Sequence, residues 1–372
     1  MVASDAEELL SGREWDSFCD QLKAAGRQVL ETRVPQEELT RVEGFRYLTR
    51  LLRLSLEKHL EYANPDFPQF YSLSHETAKI GNDNPDNYYL NCEVLGDRDY
   101  LISGNVGSVA YLSIESKAGS FAGEGDMAPT GHVALGDIET DAEGNFELWV
   151  SQSARDGNWL PMTAASDNLL VRQTFNDRRG EQRAQLSIKC LNPRGSDQLE
   201  AAEFATQLRR VAPFVSGTAG LFQNWMEHFS EHINALPPND QSMCLRAGGD
   251  PAIYYHNSFW QLAEHEVLVI EFRPPEHCRA WNFQLSNYWM ESLDYRYHRI
   301  SVNNHSAVPE QDGRIRILVT EHDPGNDFPN WLTTTGHRHG AMLLRYVEAQ
   351  DFPAVSTRVI SREAIVDLIG ES

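Results

Sequence analysis

The sequence predicts a mostly β fold of the α+β kind. Two related antiparallel β-sandwich-like units are expected, with an N-terminal helical segment and a helical connector between them. Three observations carry this expectation. Short alternating apolar and polar runs, broken by Gly, Asn and Asp, recur from about residue 87 to 190 and again from about 266 to 347. Helical spacing of apolar residues is confined to the N-terminal stretch, the stretch around residues 199–233 and the extreme C-terminus. The two β stretches also align with each other, strand after strand in the same order.

Residues 4–62 read as helical. Trp15, Phe18 and Leu22 share one face, and so do Val42, Phe45, Leu48 and Leu52. Pro35, followed by Gln36, Glu37 and Glu38, suits the start of a second helix, because proline is tolerated in the first turn and acids favour the positive end of the dipole. Asn64-Pro65 ends it. The polar face carries acids as well as Arg and Lys, so packing on the β units is expected rather than a membrane or a partner helix. Residues 100–103, 109–114 and 185–188 read as strands of the first unit. The connector is expected as two helices, 199–211 and 221–233, with Leu221, Trp225, Phe229 and Ile233 on one face and Pro237-Pro238-Asn239-Asp240 as its end. A last helix is expected between Ser361 as N-cap and Gly370 as stop. The expected organisation is 1–62 helical, 63–195 first β unit, 196–236 connector, 237–350 second β unit, and 351–372 a tail with a short helix.

The repeat is specific. With Gly144 set on Gly313, Phe146, Leu148 and Val150 match Ile315, Ile317 and Val319, and Ser151 matches Thr320. Both strands run into a polar loop that ends in Asn158-Trp159-Leu160 or Asn330-Trp331-Leu332, 15 and 18 residues from Gly to Trp. Leu169-Leu170-Val171-Arg172 then matches Met342-Leu343-Leu344-Arg345, with 13 and 14 residues from Trp to Arg. A Trp at the same place in both copies is expected to be a structural plug first and a ligand platform second.

The 372 residues hold 32 Lys and Arg against 54 Asp and Glu, a net charge of −22. Affinity for phosphates needs a basic face, so nucleic acid and anionic membrane are not expected partners. Cys19, Cys92, Cys190, Cys244 and Cys278 are odd in number and scattered, which fits reduced thiols rather than a disulfide framework or a zinc knuckle. The N-terminal residues are acidic where a signal peptide is basic and then apolar, and no apolar run approaches the roughly 20 residues of a bilayer span. A cytoplasmic location is expected; the oligomeric state is not legible.

The second unit carries a family resemblance. The runs Asn287-Tyr288-Trp289-Met290, Arg299-Ile300-Ser301-Val302-Asn303 and Asn330-Trp331-Leu332-Thr333-Thr334-Thr335-Gly336-His337 resemble the bacterial family catalogued as domain of unknown function 1214. That family is often paired with domain of unknown function 1254. The resemblance covers about residues 260–347 and implies packed antiparallel sheets. It implies no reaction and brings no catalytic residues with it. The first unit looks like a diverged copy of the second rather than the usual partner domain.

The densest reactive cluster also lies in the second unit: Glu291, Asp294, Tyr295, Arg296, Tyr297, His298 and Arg299. If 295–303 is a strand, Arg296 and His298 point one way while Tyr295, Tyr297 and Arg299 point the other. The first copy offers no equally charged stretch, so this cluster is the expected site; an ion-paired sheet surface is the plain alternative. His337-Arg338-His339 between glycines is an H-x-H pair, a spacing that metal sites in β folds use, with His298, His305 or the Glu321-His322-Asp323 run to complete it. Proton transfer by one of these histidines is preferred over a divalent metal. Residues 81–87 are oxygen-rich but lack the EF-hand glycine and glutamate, so Asx turns explain them. No P-loop, no GxGxxG after a strand and no GxSxG elbow occurs, so no nucleotide cofactor is expected.

The expected function is a small-molecule enzyme of hydrolase or lyase type. His298, His337 or His339 would move the proton, assisted by Glu291 or Asp294. Arg296 would hold an anionic or electron-rich group, and Tyr288, Trp289, Asn330 and Trp331 would bind a partly apolar or carbohydrate-like substrate. The alternatives are an acidic interaction protein that binds a basic partner or mimics nucleic acid, and a non-catalytic small-ligand-binding protein.

Overall fold

The computed structural model describes residues 4–121, 127–325 and 327–371. Three helices open the chain, α1 (Asp5–Leu10), α2 (Arg13–Ala25) and α3 (Glu38–Leu56), the last continued by a π-helical turn at Glu57–Glu61. The first unit follows as β1 (Asn87–Glu93), β2 (Tyr100–Asn105), β3 (Tyr111–Ala118), β4 (Ala128–Ala134), β5 (Asn145–Ser151), β6 (Trp159–Pro161), β7 (Asn168–Thr174) and β8 (Gln185–Cys190). Helices α4 (Ala201–Phe229) and α5 (Gln241–Arg246) lead to the second unit. Its strands are β9 (Ile253–Gln261), β10 (Glu266–Phe272), β11 (Ala280–Leu285), β12 (Ser301–Asn303), β13 (Ile315–Val319), β14 (Trp331–Leu332), β15 (His339–Val347) and β16 (Ser356–Ser361).

The duplication is complete at the level of topology. The first unit pairs its strands as β1-β7-β3-β4 and β6-β5-β2-β8; the second pairs β9-β15-β11-β12 and β14-β13-β10-β16, the same order shifted by eight. Even the parallel pairs β5–β6 and β13–β14 recur within otherwise antiparallel sheets. Each unit packs its two sheets around one apolar core. Ile102, Leu148, Leu160 and Val171 lie in the first core; Leu268, Ile317, Leu332 and Leu344 lie in the second.

The Asn-Trp corner does the same work in both copies. Asn158 Nδ2 donates to the carbonyls of Glu139 and Glu147 at 2.8 and 3.0 Å, and Asn330 Nδ2 to those of Val308 and Arg316 at 2.7 and 3.0 Å. Each Oδ1 accepts a backbone N–H at 2.8 Å, from Glu139 or Val308. The indole Nε1 of Trp159 donates to Ser151 O at 3.1 Å and that of Trp331 to Thr320 O at 3.0 Å. A buried backbone carbonyl at a strand end needs a donor, and the corner supplies it twice.

Four expectations are corrected. Helix α3 buries Gly44, Tyr47, Leu48, Leu51 and Leu54, while Val42 and Phe45 are exposed, because the helix packs on α4 and on Trp289 together. At Gly44 an added Cβ would stand 2.4 Å from the Trp289 ring, so only glycine lets the helix come this close. The connector is one helix through Pro213 rather than two; one backbone hydrogen bond is given up while Leu208, Val211, Val215, Ala219 and Phe222 keep an unbroken buried face, and Ile233 lies beyond its end, exposed. The tail supplies β16, which pairs with β10 and completes the second unit, and its helical turn, Arg362–Glu371, is 3-10 rather than α. Residues 294–298 form a turn rather than the start of a strand.

Candidate functional site

Strand periodicity sets up a cavity between the units. In β7, Leu169 and Val171 enter the first core, which turns Leu170 and Arg172 to the opposite face. Strand β15 repeats this, with Met342 and Leu344 inward and Leu343 and Arg345 outward. The two outward faces meet across a cavity of about 140 Å³, with Tyr89 and Asn91 of β1 beside Leu170 and Arg172, and Tyr255 and Asn257 of β9 beside Leu343 and Arg345. Phe222 and Trp225 of α4, with Leu73, Ile80, Phe121 and Met127, give the cavity mostly apolar walls. Gly81, at φ 62°, lies so near Phe222 that a Cβ would sit 2.5 Å from its ring, which fixes a glycine in this wall.

The loop ahead of each unit's first strand crosses to the other unit. Asn82 and Gly248 stand at matched places, five residues before β1 and β9, and both have positive φ, 57° and 89°. Arg345 donates to the carbonyl of Asn82, and Arg172 to that of Gly248. Two residues on, Asn84 Oδ1 accepts from Asn282 Nδ2 at 2.8 Å, and Asp250 Oδ2 accepts from Ser113 Oγ at 2.6 Å. The hydroxyls of Tyr89 and Tyr255 accept the N–H of Asn84 and Asp250, each at 3.0 Å. The cavity is thus framed by an approximate two-fold repeat of side chains.

Charge breaks that repeat. Arg172 is paired with Glu115 and lies 3.7 Å from Asp250. Lys117 pairs with Glu115 at 2.7 Å, and His132 with Asp250 at 3.3 Å. Burial pulls the Lys117 ammonium down to about 8. Burial also works against the Asp250 carboxylate, but His132, Arg172 and Ser113 outweigh it and hold the group below the usual range. Arg345 has only neutral acceptors: Gln284 Oε1 at 2.6 Å, Asn282 Oδ1 at 3.3 Å and the Asn82 carbonyl. It is 5% exposed, and among the described residues it pairs with no carboxylate. The acids that act on it are farther off: Asp83 accepts the N–H and hydroxyl of Ser292, each at 2.8 Å, and burial pushes the Asp86 carboxyl up to about 6. Burial disfavours the charged form of Arg345. Asn82 Oδ1, in a residue 2% exposed, has no hydrogen-bond partner among the described residues. Cys244 lines the cavity as well, its thiol pushed up to about 12 by burial.

The residues that sequence density singled out are distributed around this cavity rather than in it. Glu291 is buried against Arg50 at 2.5 Å; burial raises its pKa and the arginine only partly offsets that. Asp294 and Arg296 pair with each other at 2.7 Å on an outer turn, which holds Asp294 down at about 2. His298 is exposed on the same turn, and among the described residues no hydrogen bond or ion pair joins it to His337 or His339. His337 and His339 pack against α3 instead: His337 Nε2 lies 3.1 Å from Glu43 Oε2, and His339 Nε2 lies 3.3 Å from Thr40 Oγ1. Burial opposes the charged form of His337, yet Glu43 and the Thr334 carbonyl raise its pKa overall; burial lowers that of His339. Tyr288 donates to Arg33 O at 3.2 Å and Trp289 Nε1 to Thr40 O at 2.8 Å, so both rings tie the helical layer down. Among the described residues, no three His, Cys, Asp or Glu side chains converge as a metal site.

Sequence reasoning passed over Arg172, Arg345, Asn82 and Glu115. The signal for the arginines lay in the aligned strings themselves, where a charged residue ends an apolar run in both copies and period two turns it away from the core. Asn82 sits in the Asx-rich loop, whose turn chemistry conceals its reach across to the second unit.

Comparison with known proteins places this architecture. Residues 259–351 match the family model described as "Protein of unknown function (DUF1214)". An uncharacterised protein from Burkholderia cenocepacia, known from its crystal structure, is 46% identical; the match covers 97% of this chain and 100% of that one, with a TM-score of 0.94. A protein from Vibrio parahaemolyticus superposes with a TM-score of 0.48 at 11% identity, over 84% of this chain and 98% of that chain. No curated protein matches the chain. No helix among the described residues is long and apolar enough to cross a membrane.

Proposed function

The chain belongs to the DUF1214 family, and we propose that it binds a small, partly apolar organic acid in the cavity between its two β units. The observation that carries this is Arg345, a buried guanidinium that faces the cavity and pairs with no carboxylate among the described residues. Taking such a cation out of water costs several kcal/mol unless an anion compensates it. A ligand carboxylate supplies that anion and matches the flat fork of the guanidinium, whose five N–H donors meet three protein acceptors here. Asn82 Oδ1 adds an acceptor for a hydroxyl or amino group on the ligand. The volume of about 140 Å³ is close to that of an engineered cavity of ~150 Å³ that takes up benzene, which sets the ligand at one ring or a short branched chain.

Binding accounts for the lining better than turnover does. A hydrolase or lyase acting here by acid–base chemistry needs a group free to move a proton. Asp83 accepts two bonds from Ser292, and burial pushes the Tyr255 hydroxyl up and the Cys244 thiol up to about 12. The five unpaired cysteines suit the reducing cytoplasm.

The test uses the full chain, benzoate and mandelate, and their neutral amides, with melting temperature and calorimetry as readouts. Each acid is expected to raise the melting temperature while its amide does not, mandelate more than benzoate, and Arg345→Met is expected to abolish the effect. Wild-type protein that responds to no carboxylate, or an Arg345→Met variant that responds as well as wild type, overturns the proposal.

A further inference from the structure

The two arginines of the cavity occupy equivalent places, yet among the described residues one has carboxylate partners and the other has none. Strand register makes the comparison residue by residue. Glu115 lies opposite Leu170 on β3 as Gln284 lies opposite Leu343 on β11. Two residues further on stand Lys117 and Ser286, and the neighbouring strand brings His132 beside Glu115 where Ser301 stands beside Gln284. In the crossing loops Asp250 matches Asn84. So Arg172 has Glu115, Asp250, Lys117 and His132 around it, whose formal charges cancel its own, while the matched positions around Arg345 hold Gln284, Asn84, Ser286 and Ser301, which carry none, and the acids that act on it, Asp83 and Asp86, lie farther off.

Resting on the reading of Arg345 as a carboxylate site, we propose that Glu115 makes the cavity selective for monoanions. Without Glu115 the cavity would present a cation at each end, the arrangement that suits a dicarboxylate. With it, a second carboxylate directed at Arg172 meets a guanidinium already engaged and two fixed anions beside it, Glu115 and Asp250. Like charges in a poorly screened site repel strongly. The first-unit end therefore accepts the neutral end of the ligand, and the second-unit end accepts its charge.

Two variants, both copied from the other half of the molecule, test this. The triple substitution Glu115→Gln, Lys117→Ser, Asp250→Asn gives Arg172 the neutral surroundings that Arg345 has. Calorimetry with benzoate and mandelate as monoanions, and succinate, glutarate and isophthalate as dianions, is the readout. Wild type is expected to prefer the monoanions; the triple variant is expected to gain at least about tenfold for one or more dianions and to keep the monoanions within about threefold. The converse substitution Gln284→Glu places a carboxylate beside Arg345, as Glu115 stands beside Arg172. It is expected to fold, to melt no lower than wild type and to weaken monoanion binding at least about tenfold. A folded triple variant that binds monoanions but gains nothing for dianions overturns the role of Glu115 and leaves the Arg345 reading standing. Undiminished monoanion binding in Gln284→Glu overturns it as well, even where the triple variant fails to fold. If wild type binds no carboxylate at all, it is the Arg345 reading that has failed.

Discussion

The first and second β units share a strand order, a parallel pair and an asparagine-tryptophan corner, and they differ where they face each other. On its inner sheet the first unit sets Glu115, Lys117 and His132 around its arginine, and the loop ahead of β9 adds Asp250; the matched positions around Arg345 are neutral, and the acids that act on it, Asp83 and Asp86, lie farther off. Core positions in a duplicated fold are tied to packing, so they stay apolar in both copies. Positions on the shared inner face escape that constraint, and their divergence reports on what the cavity holds. The unit richer in charge at matched positions is not the one with charge to spare. In the first unit the charges cancel in pairs, whereas Arg345 of the second pairs with no carboxylate among the described residues.

That contrast predicts opposite consequences for one substitution made in each half. Arg172→Met leaves the buried Glu115–Asp250–Lys117 cluster with one uncompensated negative charge and is expected to cost about 3–5 kcal/mol, as breaking one side of a buried ion pair does. Among the described residues Arg345→Met breaks no ion pair; the ligand-free protein is expected to lose under about 1 kcal/mol, or to gain, because a buried cation without a carboxylate partner has gone. Urea unfolding of the two variants in ligand-free buffer measures both. Equal losses would mean that the two arginines are alike and would erase the distinction on which the binding site rests.

The corner predicts the reverse, that the halves behave alike. Asn158→Ala and Asn330→Ala each remove two side-chain donors and one acceptor from backbone groups. Each is expected to cost about 1–3 kcal/mol, with Asn330 at the upper end because it is 3% exposed while Asn158 is half-buried. Neither is expected to change affinity for a carboxylate. A shift in ligand affinity for Asn330→Ala, with none for Asn158→Ala, would restore this corner of the second unit as a binding surface.

How much of this was legible in the sequence follows from the range over which each interaction acts. Alternation, the Gly-to-Trp spacing and the apolar runs before Arg172 and Arg345 are local, and they sufficed for the duplicated sandwich and its helical additions. The buried face of α3 was misread because one helix serves two partners, so its stripe runs through Gly44 and Tyr47 rather than Val42 and Phe45. The reactive cluster at residues 291–299 was conspicuous because it is dense along the chain, yet density along a chain is not convergence in space. Glu291 turns in to Arg50 while Asp294 and Arg296 turn out to each other. The cavity depends on Asn82 and Gly248 crossing between units, and no spacing rule reaches from residue 82 to residue 345.

Helix α3 and its π-helical continuation make two buried histidine contacts, one with α4 and one with the second unit, and the two respond to pH in opposite senses. In the π-helical continuation, His59 packs edge-on to Phe214 of α4, its Nε2 without a partner among the described residues; burial, with Lys58 and Arg210 nearby, pulls its pKa down to about 3. A base depressed in the folded state binds its proton more readily unfolded. Its contribution is therefore whole above the unfolded value of about 6.5 and is lost as pH falls toward 3, approaching about 1.4 kcal/mol per pH unit. At the other end, His337 is raised by Glu43 despite its burial, so its contribution is whole below about 6.5 and is lost as pH rises through the folded value. His59→Phe keeps the ring and removes the proton, and it is expected to flatten the decline of stability below pH ~6.5. His337→Gln keeps a donor toward Glu43 and is expected to flatten the smaller decline above it. Urea midpoints from acid to mildly alkaline buffer decide the matter: if the slopes change in the same direction, or His59→Phe leaves the acid limb as steep as wild type, these two groups do not set the two limbs.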